Sequence, residues 1–375
     1  MDQSKDHQSK LFTPARIGPY ALSHRVVMAP LTRMRSGPGN IPSDLMVEYY
    51  TQRASDGGLI ISEATPVSIR GYGYIGAPGI YSDTQIVGWK RVTDAVHAKG
   101  GRIMLQLWHV GRQSHVDLQP GGEAPLAPSA IRAEGHAYTE NGEIAFSMPR
   151  ALELHEIPQV IEEFRTGAER ALRAGFDGVE IHGANGYLPD QFLQDGSNKR
   201  TDEYGGPIEN RARFMLEVTD AVISVWGVDR VGVRLAPSGS YGSMSDSNPR
   251  GTFGYVTKQL DQRKIAYLHV IEPRIKGTEL IAEGQAPVAA ETLRPLFSRT
   301  LIAAGGFTRC SAHAIIEAGN ADLIAFGRDF IANPDLPERF RRGVALNPYD
   351  RSTFYGGDAR GYTDYPIYEQ IQAAV

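Results

Sequence analysis

Short apolar, β-branched segments recur along the chain, each closing on small or polar residues. They are VVMAPLT (26–32), GLIISEA (58–64), RIMLQLWH (102–109), GVEIHGA (178–184), VGVRLAPS (231–238), AYLHVIEP (266–273), TLIAAGGF (300–307) and LIAFGRDF (323–330). Runs of this length and composition predict strands. Between most of them lie amphipathic helical patterns. In HEIPQVIEEFRTGAERALRAG (155–175), Ile157, Val160, Ile161, Phe164, Ala168, Ala171 and Leu172 mark one apolar stripe, with Gly175 as a C-terminal cap. Strands alternating with helices predict parallel βα units, and eight of them favour an α/β fold closed as a (β/α)8 TIM barrel over an open doubly wound sheet. FTPARIGPYALSHR (12–25), ahead of the first strand, reads as a hairpin plugging the barrel floor.

One region breaks the rhythm. Residues 110–153 are rich in Gly, Pro and Ala and contain EGHAYTENGEIAF, where Asn141-Gly142 reads as a hairpin turn. A long insertion after the third strand belongs on the C-terminal face, where barrel enzymes keep their active sites. No repeat or linker divides the chain, so residues 11–375 read as one domain behind a frayed tail, residues 1–10.

Composition excludes more than it assigns. With 41% apolar and 22% charged residues the 375-residue chain is ordinary globular protein, and a net charge of −4 gives no ground for nucleic acid or an acidic membrane as partner. No apolar run approaches the ~18 residues that span a bilayer, and the polar start lacks the core of a signal peptide. The lone cysteine, Cys310, allows no intrachain disulfide and no thiolate-rich metal site; a cytoplasmic location is the natural reading.

Strand alternation then points some polar side chains inward. Met104, Gln106 and Trp108 share one face; Glu180 and His182 share another, opposite Val179 and Ile181; Arg234 opposes Val233 and Leu235. Thr32, Gln106, His182 and Arg234 close separate strands. Any one of them reads as a structural hydrogen bond, but four on one rim point to a site. An inward Arg234 requires negative charge. Gly305 and Gly306 after the seventh strand, with Gly327 and Arg328 after the eighth, occupy the customary phosphate position of such barrels. A phosphorylated cofactor with a flat polar ring, FMN, accounts for the whole set. GYGYIG (71–76) matches a dinucleotide fingerprint, but Pro78-Gly79 follows where a helix must begin, which excludes that reading.

Over nearly its whole length, from LFTPARIG (11–18) to YTDYP (362–366), the chain resembles the Old Yellow Enzyme family of flavin-dependent ene-reductases. The most specific pieces are MAPLTRMR, LQLWHVGRQSH, GVEIHGANGYLPDQFLQDGSNKRTDEYGG, AAGGF and AFGRDFIANPDL. The resemblance implies an FMN-containing barrel that reduces activated carbon–carbon double bonds with NADPH or NADH. It implies flavin contacts from Pro30, Leu31, Thr32, Ala64, Gln106 and Arg234, and phosphate contacts from Gly305, Gly306, Gly327 and Arg328. His182 and Asn185 match the pair holding the substrate carbonyl oxygen; Tyr187 matches the proton donor. Trp108, Tyr74, Tyr241 and Tyr355 match an aromatic substrate pocket. Some relatives carry a second histidine at the position of Asn185, a difference that bears on ligand preference.

The implied reaction is ping-pong: hydride passes from flavin N5 to the β-carbon of an enone, enal or maleimide, and a proton from Tyr187 to the α-carbon. Nitroesters or nitroaromatics are the alternative substrates. Two rivals come from other classes. A metal-dependent barrel hydrolase would use His109, His115, His182 and Glu180, although no H-x-H or H-E-x-x-H spacing is present. A ligand-storing barrel would have no use for His182, Asn185 and Tyr187 together. Residues 191–206 read as a surface loop in which Lys199, Arg200, Asp202 and Glu203 pair or are solvated.

Overall fold

The computed structural model describes residues 9–277, 279–280 and 287–373. All eight anticipated segments form strands that pair in parallel and in chain order: β1 (Val26–Met28), β2 (Leu59–Pro66), β3 (Arg102–Trp108), β4 (Gly178–Gly183), β5 (Val231–Leu235), β6 (Tyr267–Ile271), β7 (Thr300–Ala304) and β8 (Leu323–Phe326). β8 pairs with β1 and closes the barrel. Period-two alternation decides what faces where. Leu105, Leu107, Val179, Ile181, Val233 and Leu268 pack outward under the helices. Val27, Leu59, Ile61, Met104, Tyr267, Ile302 and Leu323 fill the interior. The hairpin of Ala15–Ile17 and Tyr20–Leu22 adds Ile17 and Leu22 to that interior cluster, so it does plug the floor. Its turn admits no side chain: Gly18 has φ +49°, and a Cβ there would fall 1.8 Å from the Asp229 carbonyl oxygen.

Three local expectations shift. The helix Ile157–Arg173 buries Ile157, Val160, Phe164, Ala168 and Ala171, but Leu172 is 45% exposed. Gly167 takes its place in the stripe, because a Cβ there would lie 2.8 Å from Val67 Cγ1, where the helix packs close to the chain just beyond β2. The insertion after β3 does carry a hairpin, His136–Thr139 with Gly142–Ala145, but its two turn residues are Glu140 and Asn141. Gly142 already pairs with Thr139 while holding φ +96°. Residues 1–8 of the anticipated tail lie outside the described residues. Ser9 and Lys10 meet the helix Arg309–Glu317, with Ser9 Oγ 3.0 Å from His313 Nδ1 and Lys10 Nζ 3.2 Å from Glu317 Oε2.

The chain after β8 returns to the mouth of the barrel, and arginines hold it there by its main chain. Arg33 donates to the carbonyls of Phe354 and Gly361, each at 2.8 Å. Arg35 donates to Asp358 O at 2.9 Å and Arg53 to Tyr362 O at 3.1 Å. The Tyr362 ring stacks on Tyr49 with centroids 4.0 Å apart. Buried guanidinium groups are tolerable because carbonyl oxygens take up their donors.

Candidate active site

A cavity of about 490 Å³ opens at the C-terminal ends of the strands. Register sets its polar floor. Ala64 on β2 pairs with Gln106 on β3, Gln106 with Glu180 on β4, His182 with Arg234 on β5, and Arg234 with His269 on β6. A register shift between Ile61 and Ala64 brings Ala64 level with Gln106. Glu180 is fully buried, accepting from Gln106 Nε2 at 2.7 Å and lying 2.8 Å from His269 Nδ1 through its second oxygen. Burial lowers the Arg234 guanidinium from its usual range, while Glu180 holds it charged. Sequence reading sought that negative charge in a bound phosphate; the barrel supplies one itself.

Beyond β4 the chain turns sharply. Asn185 and Gly186 take φ +56° and +73°, conformations that asparagine and glycine tolerate best. Gln113 Nε2 donates to the carbonyls of both, at 2.8 and 2.6 Å, and Gln191 Nε2 to Gly186 O at 2.7 Å. Asp190 Oδ2 accepts from Gly186 N at 2.9 Å. This scaffold delivers His182, Asn185 and Tyr187 to one cavity wall. The Tyr187 ring stands edge-on to Trp108 and to His182, with centroids 5.0 and 4.8 Å apart, and its hydroxyl lies 3.3 Å from that of Tyr74. Burial pushes the Tyr187 phenol well above 10, so it stays protonated. Burial, then the charge of Arg234, pushes His182 well below 6.5, so it is neutral.

The segment from Gln191 onward is therefore no simple surface loop. Gln191, Gln194, Ser197 and Asn198 are buried, their side chains holding main-chain and carboxylate groups that turn inward. Arg200 does pair with Asp202, at 2.5 Å. Asp190 carries the cost of this arrangement. Burial raises its carboxyl to about 7, so the folded protein takes up a proton that the unfolded chain releases near pH 4. Stability therefore falls as pH rises from about 4 to about 7. Asp190→Asn removes that dependence: the melting temperature of the variant, measured at pH 5 and pH 8, falls less across the interval than that of the parent. An equal fall in both proteins contradicts this account.

Pro30, Leu31 and Thr32, after β1, line the cavity beside Ala64. Gly305 and Gly306 (φ +114° and +65°) line it after β7, and Gly327 and Arg328 after β8. Tyr74, Tyr241 and Tyr355 form the outer wall. Trp108 is not on the lining; fully buried, it backs Tyr74 and Tyr187. GYGYIG lies in the loop after β2, and the next long helix opens only at Asp83, so its Tyr74 serves the wall. Sequence reading missed Tyr138, which the insertion hairpin inserts between Tyr74 and Tyr355 with ring centroids 5.8 and 5.5 Å away. The hairpin docks through Ile75 N donating to Tyr138 O at 3.2 Å. His269 and Gln113 were missed too; the alternation that turns Gln106 inward also applies to His269 within LHV.

The residues fit FMN. Two buried polar atoms at the cavity, His182 Nδ1 and Arg234 Nε, have no protein partner among the described residues. Gln106 and Thr32 add hydrogen-bonding groups for the ring, and the glycine loops with Arg328 suit its phosphate. The set considered for a hydrolytic metal does not assemble: no group of three or more His, Cys, Asp or Glu with that geometry occurs among the described residues. Among these residues, too, no helix is long and apolar enough to cross a membrane.

Comparison with known proteins agrees with this geometry. Residues 10–347 match the NADH:flavin oxidoreductase / NADH oxidase family. The chain is 49% identical over 366 residues to 12-oxophytodienoate reductase 1 of Oryza sativa subsp. japonica, covering 96% of this chain and 94% of that protein. It is 49% identical over 381 residues to flavin oxidoreductase hxnT of Emericella nidulans, covering 95% and 97%. Among solved structures it resembles morphinone reductase, at 51% identity and TM-score 0.91 over 97% of this chain and 98% of that one. A second structure of morphinone reductase, in complex with tetrahydroNAD, aligns at 53% identity and TM-score 0.89 over 95% and 97%. Barrel, cavity and relatives converge: the chain belongs to the NADH:flavin oxidoreductase / NADH oxidase family, the Old Yellow Enzyme group, and is an FMN oxidoreductase driven by NAD(P)H.

Proposed function

We propose that the protein reduces the activated C=C bond of α,β-unsaturated carbonyl compounds (enones, enals and maleimides) using NADH or NADPH. The observation that carries this reading is the meeting of His182, Asn185 and Tyr187 on the cavity that Gln106, Thr32 and Arg234 also line. Bound FMN supplies hydride chemistry at the β-carbon. Pro30, Leu31, Thr32, Ala64, Gln106 and Arg234 hold its ring, and Gly305, Gly306, Gly327 and Arg328 its phosphate. His182 and Asn185 donate hydrogen bonds to the substrate's carbonyl oxygen, where negative charge develops. Being neutral, His182 acts as a dipolar donor and not as a charge. Tyr187 gives its hydroxyl proton to the α-carbon.

Tyr74, Tyr241, Tyr355 and Tyr138 shape the pocket, with Trp108 bracing two of them. NAD(P)H and substrate take turns in this cavity, beside the same flavin, which gives ping-pong kinetics. Relatives named as 12-oxophytodienoate and morphinone reductases support this reading. A nitro compound suits the oxygen-holding pair as well, but Tyr187, a protonated acid at the same wall, favours reduction at carbon.

The test is the visible spectrum of the purified protein with and without a para-substituted phenol. Flavin absorbance and a long-wavelength charge-transfer band on adding the phenol are expected. A colourless protein that FMN does not reconstitute overturns the reading.

A further inference from the structure

Glu180 lies inside the barrel, 0% exposed, and takes no part in the chemistry above. An ionised carboxylate offers only acceptors. Gln106 must therefore turn its amide N–H toward Oε1, at 2.7 Å, and His269 must keep its proton on Nδ1 toward Oε2, at 2.8 Å. Gln106 lines the cavity, so with its amide nitrogen held by Glu180 its carbonyl oxygen is free to face a ligand. That suits the single ring N–H of an isoalloxazine, which sits between two carbonyls. Arg234, on the neighbouring strand, shares the same buried interior. Burial pushes the Glu180 carboxyl up, but His269, Arg234 and Gln106 together hold it below the usual carboxylate range. Burial keeps His182 neutral, while at His269 burial and the charge of Arg234 work against Glu180, which favours the charged imidazole. Glu180 and Arg234 are thus opposite charges on neighbouring strands of the same interior.

We propose that Glu180 is a positioning residue for the cofactor: it locks the Gln106 amide with its carbonyl toward the ring and balances Arg234, keeping the reduction potential of bound FMN low. The inference rests on FMN occupying this cavity. Flavin reduction adds negative charge, which an unbalanced Arg234 would stabilise.

The experiment measures midpoint potential and FMN affinity in E180Q and E180D. E180Q removes the charge, and the equilibrium constant for flavin reduction rises about tenfold, a positive shift of about 30 mV for a two-electron couple. E180D keeps the charge but is too short to hold both Gln106 and His269. Its potential stays at the parent value while FMN binds about tenfold more weakly. A merely structural role would not separate the two variants in this way. A parent-like potential in E180Q, or a shift in E180D as large as that in E180Q, overturns the proposal. Should E180Q fail to fold, E180D alone decides: parent potential with weaker FMN supports it, and a shifted potential overturns it. Failure of the parent protein to bind FMN would instead sink the placement of the cofactor.

Discussion

Tyr187→Phe slows reduction of an α,β-unsaturated ketone by about two to four orders of magnitude, while NAD(P)H still reduces the enzyme at nearly its normal rate. The substitution removes one hydroxyl and keeps the ring that packs edge-on against Trp108 and His182. The cavity wall therefore survives, and only the hydroxyl proposed to give the proton is lost. Burial holds the Tyr187 phenol well above 10, so the hydroxyl keeps its proton at neutral pH. Stopped-flow measurement separates the two half-reactions. An equal fall in both would mean that Tyr187 positions ligands and does not deliver the proton.

His182→Ala lowers the same half-reaction by about two to three orders of magnitude, the usual cost of losing one donor to a developing oxyanion. Asn185→Ala acts in the same direction, and the double variant loses less than the product of the two, because both donors serve one oxygen. The para-substituted phenol should lose affinity and its charge-transfer band in either variant. A parent-like band in His182→Ala removes the histidine from the oxygen site. The neutral state of His182 adds a sign. Its imidazole sits well below 6.5, so between pH 6 and 8 it gains no charge and imposes no bend on the rate profile. A titration centred near 6.5 that vanishes in His182→Ala would contradict the buried, neutral assignment.

Much of this was legible in one sequence because barrel strands carry two signals at once. The β/α rhythm marked eight units, and alternation within MLQLWH, VEIH and VRL placed Gln106, His182 and Arg234 inside. Pairing between strands is a different matter. Glu180 meets His269 across 89 positions of sequence, and nothing in either segment alone records the other. The insertion was readable as a hairpin at the correct end of the barrel, but the side chain it inserts, Tyr138, depends on how it docks. Gln191, Gln194 and Asn198 fall in a stretch that reads as a surface loop because composition treats an amide as a surface group. Here main-chain groups of the turn at Gly186 and of the chain beyond it point inward and require amide partners. Trp108 shares a face with Gln106, yet bulky neighbours stand in front of it, and alternation carries no depth.

The outer wall is attached differently from the floor. Gln106, Glu180, His182 and Arg234 project from strands whose register fixes them. Tyr138 and Tyr355 ride on segments held by their main chains, one by the contact with Ile75, the other by guanidinium donors to carbonyl oxygens. Main-chain anchors are indifferent to which side chains the segments carry. Selection, natural or in the laboratory, thus has two exchangeable face plates around a rigidly held reactor. Substrate range is free to drift through positions 138 and 355 at little cost to folding, and a lineage can change what it reduces without relearning how.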